Sequence, residues 1–404
     1  MHNNIAATII KDYSNKFHND VIEFNDENTI ASPFGAWILL AFVAGATKFE
    51  ESDATAKNKI ERYLGISVEE AYKLSVSLMD KAPDSLKIAI SSWVSQAYID
   101  SDIGISYWAD KQSSNELVEY LNYIPTQEYA DSWAKSKTLG LIEKFPATIE
   151  SWMELIASSA VALDITWASK FEKVETPTEM KTYNSEHMLY SKDGNSDKKL
   201  YRVDGKVYAA HTAQEKYSRT GSISVLSVIG ETDLTPAEEI AVALRISQND
   251  NVEIIDPFEL ELNYDYGFMK ISEREIIQKI TAPVTTYAAY LPAWKAENKH
   301  ELTDFGFKDA GQSIGVDKNV AIEALQSAVA SYNLSGFSAA AVTSLMVGRS
   351  AVMTPPKEEL TKVRDVVIYF NKPYSAITNV LYNQEYAGVP LFTAWVVKAT
   401  DVES

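Results

Sequence analysis

The chain has 404 residues, 46% of them hydrophobic and 23% charged, with a net charge of −19 and no cysteine. Thiol catalysis, thiolate metal sites and disulfides are thereby excluded, and a chain this long buries enough surface to need no such staple. A field of that sign repels phosphate backbones and acidic lipid, which argues against nucleic acid and membrane partners. The longest apolar run, residues 35–46 (GAWILLAFVAGA), is too short to span a bilayer. Met1-His2-Asn3-Asn4 carries neither a basic nor an apolar signal region, so the chain reads as secreted and already processed, or as cytoplasmic.

Ile5, Ile9, Tyr13 and Phe17 recur every four residues behind Asn3-Asn4, which predicts a capped helix. Ser32-Pro33 precedes the run Trp37 to Val43, apolar all round, and predicts a buried central helix. Residues 54–64 read as a helix stopped by Gly65. Residues 86–100 are rich in β-branched and aromatic residues and predict a strand, and residues 130–144 return to helix. The second half reads mostly as strand: Ser222 to Ile229, Ala282–Pro292, Val363–Phe370 and a buried terminal strand at Pro390 to Val397. Helices early and strands late, with no linker and no repeat, predict one large α+β domain over residues 1–404.

Searches for catalytic chemistry return little. Gly311-Gln312-Ser313-Ile314-Gly315 fits G-x-S-x-G, but a polar, turn-like stretch precedes it and no histidine follows His300. It is expected to be a loop, and a hydrolase is not supported. His2, His18, His187, His211 and His300 form no i, i+4 metal pair, and no phosphate-cradling glycine motif occurs. No metal, cofactor or catalytic residue is expected.

The distinctive stretch is residues 320–350, VAIEALQSAVASYNLSGFSAAAVTSLMVGRS. A strand leads to a turn at Gly336, and small residues follow from Ser338 to Ser344. Around it, pieces along almost the whole chain stand in one order. Asn28-Thr29-Ile30-Ala31-Ser32-Pro33 comes first, then Leu86-Lys87-Ile88-Ala89 with Ser92-Trp93-Val94. Trp133, Thr138, Gly140 and Ile142 are next, then Leu291-Pro292-Ala293-Trp294-Lys295 and Phe305-Gly306. Phe370-Asn371-Lys372-Pro373-Tyr374 and Pro390-Leu391-Phe392 close the series. In these motifs and their order the chain resembles the serpins.

The resemblance implies a single α+β domain with three β-sheets and about eight or nine helices. It implies a hinge and exposed reactive-centre loop over residues 336–362. The hinge is Gly336, Phe337, Ser338, Ala339, Ala340, Ala341 and Val342. The function implied is inhibition of a serine protease by a monomeric suicide substrate: the loop is cut, the acyl-enzyme is trapped and the loop enters the central sheet. The alternative is a non-inhibitory serpin that acts as a binding or structural protein. Counting forward from Gly336 puts the scissile bond at Ser350-Ala351, whereas the guanidinium of Arg349 suits a trypsin-like protease and points to Arg349-Ser350. If Ser350 is read, the target is elastase- or subtilisin-like. The sheet-opening positions of the family match Ser32, Gly35, Asp164 and Gln326 here, and Asp164 is expected to join Ser32 and Gln326 in a buried polar cluster. Phe337, where the family favours a small residue nearby, is expected to retard insertion.

Overall fold

The first helix, Ile5–Asp20, starts where Asn4 accepts a hydrogen bond from the Ala6 amide at 3.0 Å. Its buried stripe is Ala6, Ile9, Ile10, Tyr13 and Phe17, whereas Ile5 is 72% exposed and falls outside it. The central helix Pro33–Gly45 is capped by Ser32, whose hydroxyl accepts from the Gly35 amide at 3.1 Å, and every residue from Pro33 to Ala44 is buried. It can end at residue 45 only as glycine: a Cβ there would lie 2.5 Å from the Tyr72 ring of the helix Val68–Asp80. The helix Ala54–Leu64 stops at Gly65 with φ +80°, as its glycine predicts. The computed structural model describes residues 4–192, 197–216, 220–231, 234–278, 283–315, 324–337 and 359–402.

Three expectations are corrected. The strand predicted over 86–100 is Leu86–Val94; Ser95 then caps a short helix, Gln96–Ser101, its hydroxyl accepting from the Tyr98 amide. The helix predicted over 130–144 is Gln127–Lys137, because Leu139 and Gly140 both take left-handed φ and break the repeat. Gly311 to Ile314 lies in the helix Lys308–Ile314 rather than a loop. There the Ser313 hydroxyl donates back to the Asp309 carbonyl at 2.8 Å, so no activated nucleophile forms.

The strands form four ladders among the described residues. A seven-stranded ladder runs in the order Thr29–Ala31, Pro390–Val396, Tyr374–Val380, Ile223–Gly230, Lys206–Gln214, Lys198–Val203 and Glu253–Ile255. Three of its strands, Ile223–Gly230, Tyr374–Val380 and Pro390–Val396, are buried along their whole length, which explains their near-continuous apolar sequences. A five-stranded ladder orders Met269–Gln278, Glu359–Tyr369, Val284–Leu291, His187–Ser191 and Glu172–Glu175. The remaining two ladders are halves of one sheet. One half holds Val118–Leu121, Leu86–Val94 and Leu155–Leu163; the other holds Trp294–Glu301, Leu325–Tyr332, Gly336–Phe337 and Ile165–Thr166. They are continuous because Leu155–Leu163 passes through Asp164 into Ile165–Thr166. With this sheet counted once, the described residues hold the three sheets expected, together with nine α-helices.

The outer face of the first half is covered by the helix Gln127–Lys137. Trp93 and Trp133 meet edge to face at 5.7 Å, with Phe145 and Ala160 completing a separate apolar cluster.

Three buried histidines make this fold acid-sensitive. His18 is 3% exposed, with its Nε2 2.7 Å from the Thr393 hydroxyl, and burial lowers its pKa from 6.5 to about 4. Burial, with the Lys198 charge beside it, lowers His211 to about 3, and burial also lowers His300. Each ring takes a proton more readily in the unfolded chain. Stability is therefore complete above about pH 6.5 and is lost as pH falls through the window between the unfolded and folded values. Urea unfolding is expected to show a lower midpoint at about pH 4.5 than at about pH 7.5. In His18→Gln that difference narrows by roughly 2–3 kcal/mol; an unchanged difference would show that His18 is not a source of the acid sensitivity.

Candidate functional site

The two halves of the central sheet are parted along most of their length. Leu155–Leu163 pairs on one edge with Leu86–Val94, and Leu325–Tyr332 pairs on one edge with Trp294–Glu301. Their facing edges carry no ladder among the described residues except at the top, where Gly336–Phe337 sits between them. Phe337 pairs with Tyr332 on one side and with Ile165 on the other, and Gly336 pairs with Thr166. Below that point lies a cleft of about 380 Å³, lined by Ser159, Val161, Gln326, Ala328 and Phe337 and floored by Gly35, Ala36 and Leu39 of the central helix.

Local chemistry holds the top of the cleft together. The turn after Tyr332 closes with the Asn333 amide donating to the Gly336 carbonyl at 3.0 Å. The Trp167 indole donates to the Asn333 carbonyl at 2.9 Å, and the Trp167 amide donates to the Ser335 carbonyl at 3.1 Å. Beneath, Trp294 and Tyr332 stack with centroids 5.9 Å apart, and Trp167 lies 5.2 Å from Tyr332. Phe337 is 3% exposed and meets the Trp294 ring at 6.1 Å and 65°. Its bulk is thus housed in the sheet interior. Gly336 is required where it stands, since a Cβ would lie 2.2 Å from the Ile165 carbonyl oxygen.

Lower in the cleft, Ser32 and Gln326 come together as expected. Gln326 Nε2 donates to the Ser32 carbonyl at 2.8 Å and its Oε1 accepts from the Ser32 amide at 3.0 Å. The Ser32 hydroxyl donates to the Leu391 carbonyl at 2.9 Å. Asp164 does not join them. It is exposed, and desolvation raises its pKa, the opposite of what a carboxylate accepting hydrogen bonds in a network would show. Strand alternation is the reason: Ser159 and Val161 face the central helix, so Asp164 has the opposite parity. The third member is Ser159, whose hydroxyl donates to the Gly35 carbonyl at 3.0 Å. Matching by motif missed it because Ser158-Ser159 lies five residues before the position chosen.

Arg349, Ser350 and Ala351, and the hinge residues Ser338, Ala339, Ala340, Ala341 and Val342, lie outside the described residues. Of the residues expected in a loop over 336–362, Gly336–Phe337 and Glu359 to Lys362 belong to strands, and the rest lie outside the described residues. Trp167, Trp294 and Tyr332 form the floor beneath Gly336–Phe337; Trp294 stood in the quoted stretch Leu291 to Lys295 and Tyr332 in residues 320–350, but neither was assigned a place at the site, and Trp167 carried no motif.

The roles of these polar residues separate in two substitutions. Gln326→Ala strands the Ser32 amide and takes one of two donors from the Ser32 carbonyl, which keeps the Ala36 amide, and is expected to cost about 1–3 kcal/mol in urea unfolding. Asp164→Ala is expected to stay within about 0.5 kcal/mol of the parent; the reverse order would restore Asp164 to the cluster. Gly336→Ala drives a methyl into the Ile165 carbonyl and is expected to expel the hinge, read as faster proteolytic nicking of the turn at Asn333–Ser335.

No protein-family model and no curated protein sequence matches this chain. Solved structures do match it. The thermophilic serpin tengpin in its latent state shares 15% identity over 99% of each chain, with a TM-score of 0.64. Thyroxine-binding globulin in complex with thyroxine shares 12% identity over 98% of this chain and 99% of that one, at a TM-score of 0.62. The mouse protein-Z-dependent protease inhibitor shares 15% identity over 98% of this chain and 97% of that one, at 0.58. At these identities the likeness concerns the backbone, and with the parted sheet and hinge it leads to one conclusion: the chain has the serpin fold.

Proposed function

We propose that this chain inhibits a serine protease as a suicide substrate rather than acting as an enzyme. The observation that carries the reading is the parted sheet with Gly336 and Phe337 already seated at its upper end. Continuing the same register downward would set Ala339 between Ala330 and Leu163, Ala341 between Ala328 and Val161, and Thr343 between Gln326 and Ser159. Thr343 would then reach the Ser32 cluster. Residues 338–348 contain no charge, so entry buries none. About ten entering residues form ladder bonds worth ~1 kcal/mol net each, and the chain moves ~33 Å down the sheet.

The bait bond we favour is Arg349-Ser350. The protease serine attacks the Arg349 carbonyl, the bond to the Ser350 nitrogen breaks, and the protease histidine gives its proton to that leaving amine. The ester to Arg349 remains. Entry of the freed segment then carries the protease away before water hydrolyses the ester. If Ser350 is read instead, the bond is Ser350-Ala351 and the target is elastase- or subtilisin-like. The second reading, a binding serpin whose loop stays outside, draws on the likeness to thyroxine-binding globulin.

Mixing the protein with trypsin-like and elastase-like proteases distinguishes these readings. The expected result is a complex that survives SDS, release of a peptide beginning at Ser350, and loss of the trypsin-like complex in Arg349→Ala. Cleaved protein is expected to melt well above the intact form. Cleavage with neither a stable complex nor a raised midpoint would leave the binding reading.

A further inference from the structure

His211 lies in the strand Lys206–Gln214, 2% exposed, and its Nδ1 has no hydrogen-bond partner. Its ladder neighbours, Lys198 on one side and Ser227 on the other, are fully buried, and the Ser227 hydroxyl is unpartnered too. The Phe171 ring covers His211 at 5.4 Å and reaches Tyr332 at 5.7 Å. Beyond His211 the chain is bonded directly to the support of the hinge. The Gln214 carbonyl accepts from the Ala168 amide at 2.8 Å, Glu215 bridges to Trp167, and the Lys216 amide donates to the Thr166 carbonyl at 2.8 Å. Trp167 in turn holds the hinge turn at the Asn333 carbonyl.

We infer that His211 is a proton-operated release for the hinge: a charged ring loosens Trp167 and the turn Tyr332–Phe337 before the molecule as a whole unfolds. The groups around the ring leave an imidazolium unbalanced. Lys198 acts on it as a like charge, and Asp197 is bonded to that ammonium at 3.0 Å. Tyr332, and Tyr374 behind it, stay neutral because burial raises both, and neither hydroxyl has a partner. Glu215, further along the same face of the strand, accepts from the Ser85 hydroxyl and the Ile223 amide. Lys170 and Glu172, beside Phe171, are exposed. The ladder neighbours shut the ring in on both sides, whereas Asn333, Leu334 and Ser335 of the turn are half-buried, so water reaches it most directly from the hinge. Burial and the Lys198 charge hold the closed ring's pKa at about 3, against 6.5 for a ring in water. The closed hinge is therefore fully favoured above about pH 6.5, and opening gains about tenfold for each pH unit below it.

Hydrogen exchange of the segment Tyr332–Phe337 in the intact chain tests this, with wild type beside His211→Leu, His211→Gln and His18→Gln. In wild type, protection corrected for intrinsic exchange is expected to fall about tenfold per pH unit between about pH 6.5 and 4.5. His18→Gln is expected to keep that slope, and both His211 variants are expected to lose it. One apolar and one polar replacement keep the comparison open if either fails to fold. A slope that persists in a folded His211 variant overturns the inference. A slope reduced as far in His18→Gln as in the His211 variants also overturns it, since the hinge then exchanges by global unfolding. So does a His211 ring that titrates near pH 6.5 by NMR in the folded protein.

Discussion

The fold is arranged around a strand position that the described residues leave unfilled in the middle of the main sheet. Among the described residues, two strand edges without a ladder partner face each other across a cleft, a liability that most sheets avoid by covering or shortening their edges. Here the edges are kept apart by what lies behind them. The helix Pro33–Gly45 is buried from Pro33 to Ala44, and its Gly35 carbonyl is tied to Ser159 on one lip while Ser32 is tied to Gln326 on the other. The lips hold their distance because both are bonded to the same rigid helix.

In the same arrangement the two halves of the sheet are packed independently of each other. One half of the sheet carries its own apolar cover, built on Trp93, Trp133 and Phe145. The other half rests on the aromatic floor of Trp294 and Tyr332. Only the hinge pairing and the short bridge through Ile165–Thr166 join them above the helix. Filling the gap would add pairing on both edges without dismantling either packed half, so the gain in hydrogen bonds is not offset by lost core.

The sequence displayed the helices and the buried strands well, because capping residues and apolar runs act locally. Asn4 and Ser32 each cap a helix with the side chain, and Gly65 stops one because lacking a Cβ it takes a left-handed φ. Residues 86–100 and 130–144 were misjudged where a cap at Ser95 and two left-handed residues at Leu139-Gly140 cut a pattern that composition alone carried further. The site was legible in part. Ser32, Gln326 and Gly336 sit in motifs with a fixed place along the chain. Asp164 was chosen by position without its parity, and parity decides which face of a strand meets the helix. Trp167, Trp294 and Tyr332 come from three distant segments, and their meeting under the hinge is a property of the folded sheet.

That aromatic floor has a consequence for how the molecule can be watched. Of its eight tryptophans, Trp167 and Trp294 touch the hinge turn and the Phe337 ring directly. An indole's emission colour depends on the polarity and packing around it, so any shift of the hinge changes the light that these two residues give. The protein thus carries an intrinsic optical reporter at the place where its two sheet halves meet, and its conformational state can be followed without attaching a dye.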